Sequence, residues 1–213
     1  MKRWVLPLGI IAAAVIISII VYGRMPEQVA IHWDIQGNAD RYASKPLALF
    51  MLPVVMLAVL ILNKLAPIID PRKANLKKNR GDIDTINFFL MLVLLAVHVL
   101  TIVYSLGYEF DMSIIAPLLA GAIFVVVGNY MPRFKHNYSF GLKTAWTLAS
   151  ENVWRKANAI SGRFFFVGGL IMILSLFLPR IWMLVVFFAT LIVCAVVPVL
   201  VSFLLYKKEQ VQS

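Results

Sequence analysis

Cysteine and acidic residues are scarce in this sequence. One cysteine, Cys194, and ten aspartates and glutamates are spread over 213 residues, and charged residues make up only 14%. A lone cysteine excludes an internal disulfide and any cysteine-based metal centre. With so few acids, none deep inside an apolar run, there is no carboxylate pair for acid-base catalysis or proton coupling. G-x-S-x-G, H-E-x-x-H and phosphate-loop patterns are also absent, as are internal repeats and low-complexity tracts. An intramembrane enzyme is therefore the weakest reading, and the chain is not expected to be an enzyme.

Apolar residues are abundant instead. They form 62% of the chain, and the mean hydropathy is +0.87, which makes the bilayer the main solvent. A net charge of +10 would suggest nucleic acid in a soluble protein. Here the basic residues stand at the ends of apolar runs, where they read as topology signals and contacts with membrane lipids, so no direct nucleic-acid contact is expected.

A spanning helix needs about 20 mostly apolar residues. Six runs qualify: Trp4–Tyr22, Leu47–Leu65, Ile86–Leu106, Ile114–Tyr130, Arg163–Leu178 and Ile181–Tyr206. Pro179 and Arg180 divide the last two into a tight helical hairpin. Lys2 and Arg3 give the first run some likeness to a signal peptide, but it ends in Tyr22-Gly23-Arg24 without an A-x-A-like cleavage site and is read as a mature helix. Of the 20 lysines and arginines, all but Arg24, Arg41, Lys45 and Arg180 fall on one side of a six-span chain. The positive-inside rule then puts both termini in the cytoplasm. The expected fold class is an all-α, multi-pass membrane protein with six transmembrane helices. Its organisation divides into residues 1–66, a helical hairpin with an outer loop at 24–46, and residues 67–213, a four-helix region with inner loops at 66–85 and 131–162.

Each long polar segment has its own pattern. In the outer loop Val29, Ile31 and Trp33 alternate with Ala30 and His32 before a Gly-Asn turn, which predicts a short strand and turn. Ala66–Thr85, basic and carrying Pro67 and Pro71, reads as a solvated loop drawn to anionic lipid. In the third segment Ser150, Val153, Trp154, Ala157 and Ile160 recur at helical spacing. They predict an interfacial amphipathic helix before the fifth span, capped by Thr147 or Ser150.

The stretch from Gly128 to Gly162 resembles the signature of the SdpI-like family of bacterial membrane proteins, G-N-x-M-P, then N-x-x-x-G-x-R-T-P-W-T-L, then W-x-x-x-N and a glycine. Gly128, Asn129, Met131, Pro132, Asn137, Gly141, Thr144, Trp146, Thr147, Leu148, Trp154, Asn158 and Gly162 match. The outer loop resembles the module found ahead of that signature, through Pro26, Ile31, His32, Trp33, Gly37, Asp40, Arg41 and Lys45. Lys143 stands where the pattern has arginine and Ala145 where it has proline, so a planar bidentate donor becomes a point charge. The resemblance implies an immunity protein against a secreted, membrane-active peptide toxin of the SdpC type, and in some relatives recruitment of a cytoplasmic transcriptional repressor. A small exporter of an amphiphilic peptide is the alternative.

The candidate residues follow from these patterns. For toxin or ligand binding in the outer loop they are His32, Trp33, Asp34, Gly37, Asp40, Arg41 and Lys45. For the inner motif and partner docking they are Asn129, Pro132, Asn137, Gly141, Lys143, Thr144, Trp146, Thr147, Trp154 and Asn158, with interfacial anchoring as the competing role. His98 is the ionisable side chain inside a span, which makes it either part of a polar track or a histidine satisfied by a neighbouring helix, with Thr101 and Tyr104 nearby on its own helix. Glu109 and Asp111 read as outer charges near the membrane. The spacing of His32, Asp34 and Asp40 fits no compact zinc pattern, so neither metal nor cofactor is expected.

Overall fold

A computed structural model describes residues 4–108 and 110–212. Lys2, Arg3 and Glu109 lie outside the described residues. In chain order the elements are α1 (Val5–Val21), β1 (Gln28–Trp33), β2 (Ala39–Ser44), α2 (Lys45–Ile69), α3 (Lys73–Lys78), α4 (Arg80–Ser105), α5 (Met112–Tyr130), α6 (Ala145–Ala149), α7 (Glu151–Leu174) and α8 (Arg180–Gln212). Short 3-10 turns follow α1, α5 and α7. Among the described residues, six helices are long and apolar enough to cross a membrane: α1, α2, α4, α5, α7 and α8. Their outward faces are apolar (Ile20, Leu62, Ile69, Phe177 and Leu204 are all well exposed), as lipid contact requires. The chain is a multi-pass membrane protein.

The chain packs as two units. One runs through Asn63 and adds Asn87–Ala116. Its core joins Val29 and Ala43 of the strands to Ala48, Leu49 and Ile102 of the helices, with a second cluster of Ala14, Met56, Leu60 and Met91. His98 lies buried here. Its Nε2 is 3.0 Å from Ser18 Oγ and 3.3 Å from the Ala14 carbonyl, so an Nε2–H tautomer donates into α1. Ser18 in turn lies 2.9 Å from the carbonyls of Ala14 and Leu49. The histidine is thus satisfied by a neighbouring helix, but the partners are Ser18 and Ala14 rather than Thr101 and Tyr104.

The other unit contains Lys64–Ile86 and the chain from Pro117 onward. Pro179 separates α7 from α8, and the two pack as the expected hairpin. Glycines set the approach of α5 to α7. A Cβ on Gly128 would come within 2.3 Å of the Phe166 backbone nitrogen and 2.6 Å of the Gly162 carbonyl. With lipid as apolar as the side chains, close backbone contact between small residues is what drives such a crossing.

Several expectations are corrected. The two-stranded hairpin makes the fold not strictly all-α, although the outer loop was expected to form a strand and turn. Residues 66–85 are not a solvated loop: α2 continues to Ile69, α3 and the start of α4 follow, and Leu76, Ile83, Asp70 and Asn79 are buried. Residues 151–162 are the first turns of the fifth spanning helix itself, continuous with the rest of α7, and Val153, Trp154, Ala157 and Asn158 on their apolar face are covered by protein.

Gly128→Ala should therefore cost about 1–3 kcal/mol, read as a fall of several degrees in the melting temperature of the detergent-purified protein. Gly81→Ala, with no atom within 4 Å of the added methyl, should not lower it.

Candidate functional site

The outer hairpin is antiparallel, pairing Val29 with Ala43, Ala30 with Tyr42, His32 with Arg41 and Trp33 with Ala39, with bulges on either side of His32. Asp34 builds the turn. Its Oδ1 accepts from the backbone N–H of Gln36 and of Asn38, both at 2.9 Å, and Gly37 N donates to its carbonyl at 3.0 Å. Gly37 has φ +86, which favours glycine, and a Cβ there would meet Asp111 Oδ1 at 2.9 Å. Asp111 accepts from Ser113 N and Ser113 Oγ, so it caps the start of α5 rather than standing as a loose charge. Trp33 packs edge-on against Tyr104 with centroids 5.3 Å apart, and its Nε1–H is buried without a partner. Lys45 pins the hairpin base, reaching Glu27 at 2.7 Å and the Met25 carbonyl at 3.3 Å.

Asp34, Gly37 and Lys45 are thus occupied in shaping the hairpin. His32, Asp40 and Arg41 remain exposed together. His32 Nδ1 is 2.5 Å from Asp40 Oδ1, and that hydrogen bond holds the Asp40 carboxyl below the usual range. The Arg41 charge beside it acts on the Asp40 carboxyl in the same direction.

In the second unit the segment Arg133–Thr144 has almost no regular structure, yet its backbone is bonded nearly throughout by side chains. Asn79 accepts from Lys135 N at 2.7 Å and donates to the Arg133 carbonyl at 2.8 Å. Asp70 Oδ2 accepts from Tyr138 N at 2.9 Å and Ser139 Oγ at 2.7 Å, and its Oδ1 from Arg72 N. Asn137 accepts from Ser139 N and Phe140 N and donates to the Lys135 carbonyl. Asn158 accepts from Leu142 N at 2.8 Å, Trp154 Nε1 donates to the Phe134 carbonyl at 2.9 Å, and Asn75 donates to the His136 carbonyl at 2.8 Å. Gly141, at φ +108, lies so near Asn158 Oδ1 and the Trp154 ring that a Cβ would reach them at 2.6 and 3.1 Å.

Thr144 and Thr147 form a capping box at the start of α6, and Thr147 Oγ1 also donates to the Leu142 carbonyl. The proline that the resemblance leads one to expect at position 145 would occupy the first helical position, which needs no N–H bond, so Ala145 is an inexpensive replacement. Ser150 caps α7 by accepting from Val153 N at 3.2 Å.

The predicted inner residues accordingly divide. Asn137, Gly141, Thr144, Thr147, Trp154 and Asn158 are turned into the loop, and Pro132 lies against Gly162. Lys143 and Asn129 are exposed, Lys143 donating to the Ser139 carbonyl at 3.1 Å and Asn129 having no polar partner among the described residues. Trp146 is half-buried against Phe203. Sequence reasoning missed Asp70, Arg72, Asn75, Asn79 and His136. The Asp-Pro-Arg turn at 70–72 was the one local sign, since an aspartate before such a turn commonly accepts from the backbone two residues on.

Comparison with known proteins places these two regions. Residues 9–57, which include the hairpin, match a domain of unknown function, DUF1648, and residues 133–202 match the SdpI/YfhL protein family. The chain is 29% identical over 209 residues to the Immunity protein SdpI of Bacillus subtilis (strain 168), covering 98% of each. The chain is SdpI-like. No solved structure matches it. The SdpI-like region thus contains the loop from Arg133 together with α6, α7 and most of α8.

Asp70 offers the sharpest test of this loop. Burial alone would raise its carboxyl, but hydrogen bonds from Ser139 and from the backbone of Arg72, Tyr138 and Ser139 outweigh burial and hold it below 3.8. A depressed carboxylate contributes stability above its unfolded value and loses it as pH falls through the folded one. Asp70→Asn puts an NH2 where acceptors are needed. It should cost roughly 1–3 kcal/mol at pH 7, and the gap from wild type should narrow below pH 3.8 in thermal melts taken across acidic pH.

Proposed function

We propose that this protein is an immunity protein, a binder without turnover, that protects the producing cell from a secreted, membrane-active peptide toxin of the SdpC type. The observation that carries the reading is the end-to-end relation to a protein named Immunity protein SdpI, which extends through both the hairpin and the inner loop. Composition adds a physical frame. Both termini are cytoplasmic by the distribution of lysine and arginine, the hairpin is outside, and the loop from Arg133 is inside, separated from the hairpin by an odd number of spans.

On this reading the exposed His32, Asp40 and Arg41 meet the incoming peptide, and Trp33, packed edge-on against Tyr104, supplies an aromatic anchor beside them. Asp34, Gly37 and Lys45 hold that surface in shape. The first turns of α7 lie at the inner interface, and the exposed Lys143 and half-buried Trp146 form the docking face for a cytoplasmic transcriptional repressor. Membrane lipids are the surrounding partner.

Expression in a toxin-sensitive bacterium tests this directly. Wild type should raise survival under challenge with a peptide of this type. Asp40→Ala combined with Arg41→Ala should reduce that protection by at least tenfold at unchanged abundance in the membrane, since two exposed charges contribute to capture without supporting the fold. Sensitivity unaltered by wild-type protein would refute the reading.

A further inference from the structure

The outer hairpin is a two-stranded sheet, so among the described residues β1 and β2 each have one edge with no strand beside it. The pairing shows which groups stand on those edges. Opposite residues of an antiparallel ladder alternate between pairs that exchange both backbone hydrogen bonds and pairs whose N–H and C=O turn outward. Lys45 N donates to the Glu27 carbonyl at 3.1 Å, which makes Glu27 and Lys45 an exchanging pair. Along the register Val29 and Ala43 then exchange as well, whereas Gln28 with Ser44 and Ala30 with Tyr42 do not. Tyr42 N–H, Tyr42 C=O and Ser44 N–H therefore point away from β1, with the two residues about 7 Å apart along the strand.

The two edges differ in cover. Val29 and Ala30 of β1 are buried, but in β2 Asp40, Arg41, Tyr42 and Ser44 are exposed, Tyr42 to 56%. Among the described residues no backbone group from a third segment bonds the N–H of Tyr42 or Ser44. Proteins usually blunt such an edge with a proline, a bulge or a cover. Here the bulges flank His32, toward the turn, and Tyr42–Ser44 is plain strand.

The faces of the sheet set what can lie there. Val29 and Ala43 enter the apolar core with Ile31 packed against it, so Tyr42 and Ser44, offset by one residue, point to the opposite face. A third strand continues both faces, and needs apolar side chains at every second position with polar ones between. An extended amphipathic peptide has that pattern, whereas a lipid has no backbone to match the edge groups.

We propose that the outer edge of β2 binds an extended, amphipathic peptide segment as a third strand, its backbone bonding Tyr42 N–H, Tyr42 C=O and Ser44 N–H. The inference rests on the immunity reading, which supplies a membrane-active peptide as the occupant, and adds how that peptide is held. Backbone bonds give affinity with little demand on sequence, while the exposed His32, Asp40 and Arg41 toward the turn select charge.

The test uses the full chain in nanodiscs with a synthetic toxin peptide of the SdpC type, read by amide hydrogen exchange and by the peptide's dissociation constant. Bound peptide should slow exchange of the Tyr42 and Ser44 amides about tenfold or more. Tyr42→Pro removes one edge donor where an edge strand tolerates proline, and should weaken binding about tenfold at an unchanged melting temperature. Tyr42→Val, which keeps the N–H and removes the ring, should bind nearly as wild type does. If Tyr42→Pro melts early, the exchange measured on wild type decides alone. Binding that leaves both amides at their free rates, or equal affinity in a folded Tyr42→Pro protein, overturns strand addition while survival of cells carrying wild type still supports the immunity reading. Cells left unprotected by wild type, or no binding to it, would sink the inference together with that reading. Slowing that grows with protein concentration and needs no peptide would assign the edge to a second copy of the chain, and would overturn the proposal as well.

Discussion

The structure depends on side chains satisfying a backbone that has no regular partner of its own. Between Arg133 and Thr144 the chain leaves α5 and returns to α6 at the edge of a membrane, where an unpaired N–H or carbonyl is expensive to bury. Asp70 and Asn79 from the preceding segment, Asn137 from within, and Trp154 and Asn158 from α7 each supply the donor or acceptor that a helix would otherwise provide. Because these groups come from distant parts of the chain, the loop, the α2–α4 connection and the first turns of α7 form one bonded assembly.

That arrangement changes what the family signature means. Most of its polar positions face inward and build the loop, so replacing them would damage the scaffold before any surface. Recognition is left to the side chains the scaffold displays, which around the loop include Lys143, Lys135 and Arg155. The hairpin repeats the same division of labour: Asp34 and Gly37 shape the turn while His32, Asp40 and Arg41 stay exposed.

The spans were legible because lipid solvation needs only length and apolarity, and Pro179 with Arg180 divided the last apolar stretch, too long for one span, into two. The first strand of the outer hairpin and its turn were legible through the two-residue alternation and the Gly-Asn pair, whereas the second strand, Ala39–Ser44, has no such alternation of apolar residues. The buried role of Asp70, Asn75 and Asn79 was not, since asparagine and aspartate in a basic, proline-containing stretch look like surface residues until a distant loop arrives to bond them. The helical periodicity of residues 150–160 was read correctly, but periodicity does not distinguish a protein neighbour from a lipid interface. Trp154 therefore looked like a membrane anchor, whereas its indole is sealed beneath Phe134 and His136. His98 was legible as a buried polar group, and its partners on α1 were beyond the reach of local spacing.

Hydrogen exchange on the protein in nanodiscs measures the central claim directly. The amides of Lys135, Tyr138, Ser139, Phe140 and Leu142 should exchange far more slowly than those of an open loop, approaching the protection of the adjoining helix ends. Exchange of these amides at the rate of an unstructured peptide would contradict the account.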